Sequence, residues 1–389
     1  MEQSHSIARA GHVLWLGVAA AGLLIFLFSV SNGILDASGN LIGRDFGNMW
    51  TGAQAVGRGA VDRLFEPESY PAFQSEIFGF RLPPHYWSYP PHLLPFIAPL
   101  ALFPYAVALI LWSGVGLALY LAACARPAAS GLELIALALA PASVINLLAG
   151  QNGFFTAALL WSGFVLLDRR PIAAGIAFGF LSLKPQIALL VPLILLLDGR
   201  WVTIVAAAAT AACLIAFATV AFGIEPFIAY VFKVLPFQTS LFAKDGGFVN
   251  MMPTAFMNAR LAGADVTTAW IVQIPASLCG IALAVWTALR TTDPLLRYAG
   301  LVTGTFLASP YLFIYDMTIF GPVILGLWPR MQERASSQVI IGALWSLPVL
   351  GLALALAGIP ISALVLVVFA AWLAAEVARQ RPALVSKPA

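Results

Sequence analysis

The sequence is short of charge: 10% of its 389 residues are Asp, Glu, Lys or Arg, against 61% hydrophobic. A soluble domain must cover its exterior with polar side chains, so that balance excludes one, and no basic run is present to hold a nucleic acid. Cysteine is scarce too. Cys124, Cys213 and Cys279 each sit inside an apolar stretch, as buried small residues rather than a disulfide framework or a metal site. The glycine loop that cradles nucleotide phosphates, the dinucleotide glycine fingerprint and the paired-histidine zinc motif are all missing. No Asp-x-Asp occurs either, which removes the usual metal clamp for a nucleotide-sugar donor.

What the chain has is apolar sequence, with a mean hydropathy of +0.92. Charges, Pro and Gly divide it into spans near 13–30, 93–123, 132–149, 153–167, 171–183, 186–197, 201–222, 267–289, 296–309, 317–328, 338–357 and 361–377. The expected fold is an all-α polytopic membrane protein of about twelve transmembrane helices, one domain over residues 1–389. The first span, after Arg9, reads as a retained signal anchor. With the N-terminus in the cytoplasm, Arg126, Arg169, Arg170, Arg200, Arg290, Arg297, Arg330, Arg334 and Arg379 fall in short cytoplasmic connections, as the positive-inside rule requires. The same alternation puts the long first loop (31–92), Gly150–Gly153, Leu183–Pro185, the loop near 223–266 and Ser309–Asp316 on the outer face. The unusual polar residues therefore collect on one side.

The first loop carries the stretch IGRDFGNMWTGAQAVGRGAVDRLF, Ile42 to Phe65. Phe46, Met49, Trp50, Ala53 and Val56 make one apolar helical stripe on a segment too short and polar to span. Gly57 and Gly59 end it. The expectation is an interfacial helix lying on the membrane with Asp45 at its N-terminus, where a charge is easily solvated. Asp45 is the candidate general base; the plainer role is an N-cap, and one does not exclude the other. Arg44 beside it can hold it ionised or bind an anion.

Other polar residues carry paired readings. In HYWSYPPH, Tyr86, Trp87 and Tyr89 form either an aromatic belt or a sugar-stacking wall, with His85 and His92 as polar contacts. Gln151 and Asn152 cap helix ends or bind sugar hydroxyls, since an amide both donates and accepts. Lys184, in FGFLSLKPQIALL, either snorkels or meets an anionic lipid phosphate where Pro185 breaks the helix beside a cavity. Asp316 pairs with Lys184, caps the next helix or joins the site.

Asp45-Phe46 with Trp50, Tyr89-Pro90-Pro91, Gly150-Gln151-Asn152, Lys184-Pro185 and Ser309-Pro310, in that order, resemble glycosyltransferase family 87. These are multi-spanning enzymes of the C-type superfamily (GT-C) that use polyprenyl-phosphate sugars, mannosyltransferases among them. The chain departs from the pattern in having Tyr315-Asp316 where members often carry a histidine or another polar group near the late Ser-Pro. The resemblance implies a catalytic base in the first outer loop, hence Asp45. It also implies a polyprenyl-phosphate donor, typically mannosyl, and a lipid or glycan acceptor, with the site outside the bacterial inner membrane. An inverting displacement follows, with Lys184, Arg44 or Arg81 stabilising the departing phosphate and no metal or other cofactor expected. A transporter or flippase of lipid-linked sugars is the rival class; it would spread polar groups through the membrane depth and show inverted repeats. A structural partner in an envelope assembly would place no demand on Asp45.

The orientation is checked by an impermeant thiol reagent on whole cells. It should mark Ser69→Cys and spare Ser130→Cys; the reverse pattern would overturn the charge sorting.

Overall fold

Proline and glycine mark many of the helix ends, although Pro275 and Pro348 lie inside long apolar helices. The computed structural model describes residues 33–36, 39–125, 130–241, 247–331 and 334–380, and among them every regular element is a helix apart from one isolated bridge, Leu35 to Leu41. The anchor expected at 13–30 lies outside the described residues. Among the described residues five helices are long and apolar enough to cross a bilayer: Tyr105–Cys124, Trp201–Phe222, Val266–Arg290, Ala335–Leu356 and Ser362–Arg379. At a rise of about 1.5 Å per residue, roughly twenty residues reach across the hydrocarbon core. Gly131–Ala138 and Pro141–Ala149 make a sixth if the pair, bent by 52°, counts as one span. Pro91–Leu102, Gly153–Leu166, Pro171–Leu183 and Pro185–Leu197 are shorter apolar helices. Among the described residues, then, five or six helices reach full length where the sequence suggests more spans, and shorter apolar helices lie between them.

These interruptions build the site. A helix ends at Gly150 and the next begins at Gly153; another break falls at Lys184, and the helix Pro294–Ala308 stops at Ser309. At the basic side, Arg200 pairs with Asp168, Arg297 with Asp198, Arg330 with Asp293, and Arg334 and Arg379 with Glu376. Each of these pairs joins residues that the charge sorting put together.

Pro294–Ala308 is the central helix, buried along nearly its whole length. It packs against Val266–Arg290 closely enough that a Cβ on Gly280 or on Gly304 would meet the other's carbonyl oxygen at 2.5 Å. Around this core, helices turn apolar side chains outward: Val205, Phe217 and Val220 on Trp201–Phe222 are exposed, as lipid contact requires.

The first loop folds into a second core of Leu41, Phe46, Met49, Leu64, Phe65, Tyr70, Phe73, Trp87 and Tyr89 with Leu94 and Tyr105. The helix expected after Asp45 is present as Phe46–Gly57, followed by Arg58 and by Gly59 at φ +65°. Its surroundings correct the interfacial expectation. Phe46, Met49 and Ala53 are fully buried, and so are the polar-face residues Asn48 and Thr51. Phe46 packs on Tyr105 and Trp112, Trp50 on Phe78 and Tyr105, and Gly52 sits under Ile97 and Trp87. The rest of the loop wraps the helix, so its apolar stripe meets protein where lipid was expected.

Thermal unfolding in detergent separates the two kinds of helical glycine. Gly304→Val should lower stability by at least about 1–3 kcal/mol through overpacking against Gly280. Gly342→Ala, where a Cβ meets nothing within 4 Å, should leave the melting point unchanged or raise it.

Candidate active site

Asp45 is placed by its backbone. The Tyr105 hydroxyl donates to the carbonyls of Ile42 (2.7 Å) and Gly43 (3.0 Å), pinning the turn before it. The Asp45 N–H donates to Ala149 O at 3.0 Å, which draws the helix start onto the Gly150 turn. Gly150 is required twice over: its φ is +66°, and a Cβ there would lie 2.5 Å from that of Phe46. Asp45 occupies the N-cap position, yet its side chain makes no capping hydrogen bond. Its Oδ2 accepts instead from Gln151 Nε2 at 2.9 Å. The carboxylate is 6% exposed, so the expected easily solvated position is corrected: the protein, more than water, solvates it.

Gln151 is oriented by its other end. Its Oε1 accepts from the Tyr89 hydroxyl and from the Asn152 N–H, both at 3.2 Å, which leaves the NH₂ to face Asp45. Tyr89 is held in turn by Trp87, whose indole N–H donates to the Tyr89 carbonyl at 2.7 Å. Trp87 is buried and so belongs to neither the aromatic belt nor a sugar-stacking wall. The second oxygen of Asp45, Oδ1, lies 3.4 Å from His85 Nε2 and 3.8 Å from Arg44 Nε. Burial pushes the His85 pKa below its ordinary value; Asp45 opposes that shift and Arg44 adds to it.

Lys184 does not snorkel. Its side chain is 5% exposed, and Nζ donates to Asp316 Oδ1 at 2.5 Å and to Asn152 Oδ1 at 3.0 Å. Of the roles open to Asp316, the structure shows the pairing with Lys184; its Oδ2 also accepts the Phe313 N–H at 3.2 Å, at the start of the next helical turn. The Tyr315 ring lies under the ammonium, 5.0 Å from its centroid. The Gly150–Asn152 turn is fixed beside them: Gly153 N–H donates to Asn146 Oδ1 at 2.9 Å, and the Thr318 hydroxyl donates to Gly153 O at 2.9 Å.

These groups surround a cavity of about 800 Å³. Arg44, Asp45, His85, Tyr89, Gln151 and Lys184 line it, while Asn152 and Asp316 stand behind Lys184. His92 is corrected. It does not line the cavity; its ring is buried and stacks on Phe227, because Pro91–Leu93 turns it into the packing. The cavity also takes Tyr311 and Tyr315, and Asn48 and Gln74, the last two of which sequence reasoning did not single out. Asn48 lies three residues after Asp45 on one helix face. Its Oδ1 accepts from the Tyr70 hydroxyl (2.7 Å) and Gln74 (3.1 Å), and its Nδ2 donates to Tyr86 O at 3.2 Å, which holds the His85 loop. Among the described residues no group of three His, Cys, Asp or Glu is arranged to hold a metal ion. A carboxylate with one oxygen committed and the other toward a cavity suits proton abstraction; the adjoining cations suit an anion.

A stability cycle tests the buried pair. Lys184→Met leaves the Asp316 carboxylate buried without its partner and should cost about 3–5 kcal/mol. Adding Asp316→Leu should recover much of that loss in thermal unfolding, and a merely additive double variant would mean that the two side chains act separately.

No curated protein and no solved structure matches the chain. The model of glycosyltransferase family 87 matches residues 87–310, more than half of the 389 residues. That segment holds Tyr89, Gln151, Asn152 and Lys184, while Arg44, Asp45, His85 and Asp316 lie outside it. Organised around this cavity among apolar, membrane-length helices, the chain belongs to glycosyltransferase family 87 and is a membrane glycosyltransferase.

Proposed function

We propose that the protein transfers a sugar, mannose in the first instance, from a polyprenyl-phosphate donor to a hydroxyl of a lipid or glycan acceptor. The reaction takes place on the extracytoplasmic face of a bacterial inner membrane and inverts the anomeric carbon. One observation carries this reading: the Asp45 carboxylate is buried at a cavity, fixed through one oxygen by Gln151, with its second oxygen at the cavity, 3.4 Å from His85 and 3.8 Å from Arg44. A group so held is pre-positioned to take a proton from an acceptor hydroxyl as that oxygen attacks.

The leaving phosphate needs positive charge. Arg44 faces the cavity with a half-exposed side chain, and Lys184 lines it with one N–H beyond those given to Asp316 and Asn152. The polar wall of Tyr89, Gln151 and Asn48 offers both donors and acceptors to sugar hydroxyls. Opposite in character, Leu183, Leu189, Leu235 and Leu241 also line the cavity, and Leu189 and Leu235 are exposed on the outside. An apolar wall continuous with a lipid-facing surface suits a prenyl chain that stays in the bilayer.

Asp45→Asn tests the assignment. The amide keeps an oxygen for Gln151 but cannot accept a proton, so transfer from labelled mannosyl polyprenyl phosphate should fall by on the order of 10²–10⁴. Purified wild-type and variant proteins of matched thermal stability should be compared. Near-wild-type transfer by Asp45→Asn would remove Asp45 as the base.

A further inference from the structure

A base in a closed site must lose its proton before the next turnover. Asp45 is 6% exposed and its Oδ2 is occupied by Gln151, so the exit runs from Oδ1. The group nearest that oxygen among its ionisable neighbours is His85, with Nε2 at 3.4 Å against 3.8 Å for Arg44. Arg44 carries no lone pair to accept a proton. His85 does, and with its side chain 27% exposed it also reaches water, on a cavity-lining loop that Pro83 and Pro84 stiffen.

We propose that His85 is a proton relay: it takes the acceptor's proton from Asp45 and hands it to water, resetting the base after each transfer. The proposal rests on the glycosyl-transfer reading above. The acceptor O–H bond breaks as its oxygen bonds the anomeric carbon, and the carbon–oxygen bond to phosphate breaks with its electron pair left on the phosphate. The proton passes to Asp45 Oδ1, then to the Nε2 lone pair of neutral His85, and then to solvent. An imidazole is ordinarily the stronger base of the two, at about 6.5 against about 3.9 for a carboxylic acid; burial of His85 narrows that gap and the neighbouring Asp45 widens it. The charged groups acting on His85 are Asp45 and Arg44; Lys184 is bound to Asp316 and balanced by it.

The test is a time course with His85→Gln, using mannosyl prenyl phosphate as donor and an octyl glycoside as acceptor. The variant should make one product per enzyme at a near-normal rate and then turn over at least about tenfold more slowly, and added imidazole should restore the steady state. The acid limb of kcat, set in the wild type by protonation of His85, should move to lower pH. A raised KM with normal kcat and no burst would make His85 a sugar contact and overturn the relay. The second arm needs no turnover: in histidine-labelled protein, Asp45→Asn should lower the His85 pKa by removing the carboxylate that raises it, and an unmoved titration would overturn the coupling. If the wild type transfers nothing from this donor, the polyprenyl-phosphate reading fails, while the titration decides the pair by itself.

Discussion

The order of the site depends on one buried ammonium. Lys184 is enclosed where a helix breaks before a proline, and a cation there is tolerable only if its charge and its donors are answered. Asp316 answers the charge, and Asn152 takes a second hydrogen bond. The partners come from different interruptions of the helical bundle, Gly150–Gly153 and the turn after Ser309, so the electrostatic demand of one side chain binds three breaks together. Such backbone breaks survive inside a membrane protein only where protein or a cavity satisfies the freed groups. Here both conditions meet: the ion pair forms one wall and the cavity opens beside it.

Asn152 carries that constraint toward the acid. Its backbone N–H and the Tyr89 hydroxyl both donate to Gln151 Oε1, which fixes the amide and aims its NH₂ at Asp45. The carboxylate is thus held by a side chain whose own orientation is over-determined, the condition for a reacting group to stay within reach of its substrate. Glycine makes the approach possible. Without the left-handed turn and the absent Cβ at Gly150, Phe46 and the first loop could not close on the Gln151 turn.

Much of this was legible residue by residue. An Asp before an apolar helical stripe, a lysine in an apolar run followed by proline, and amides at a helix–helix turn each break a local rule of membrane sequence, and each proved to be at or beside the cavity. The pairing of Lys184 with Asp316 stood among the sequence alternatives because an intramembrane cation needs an anion. His92 misled because a histidine in an aromatic octet looks the same whether it faces a cavity or a phenylalanine. Asn48 and Gln74 were silent, since polar residues on a short polar helix violate nothing. The apolar stripe from Phe46 was correctly read as a helix, but a stripe does not say whether protein or lipid covers it.

The sequence by itself determined the helical membrane class and the residue types that could act, because solvation and charge are properties of each segment alone. Only the tertiary structure decided which apolar runs form one long helix and which break into shorter ones, which oxygen of Asp45 is held, and which of the candidates share one cavity. Those are relations between segments as far apart as Asp45 and Gln151, or Lys184 and Asp316. They depend on packing that brings distant chain together, and no local pattern records it.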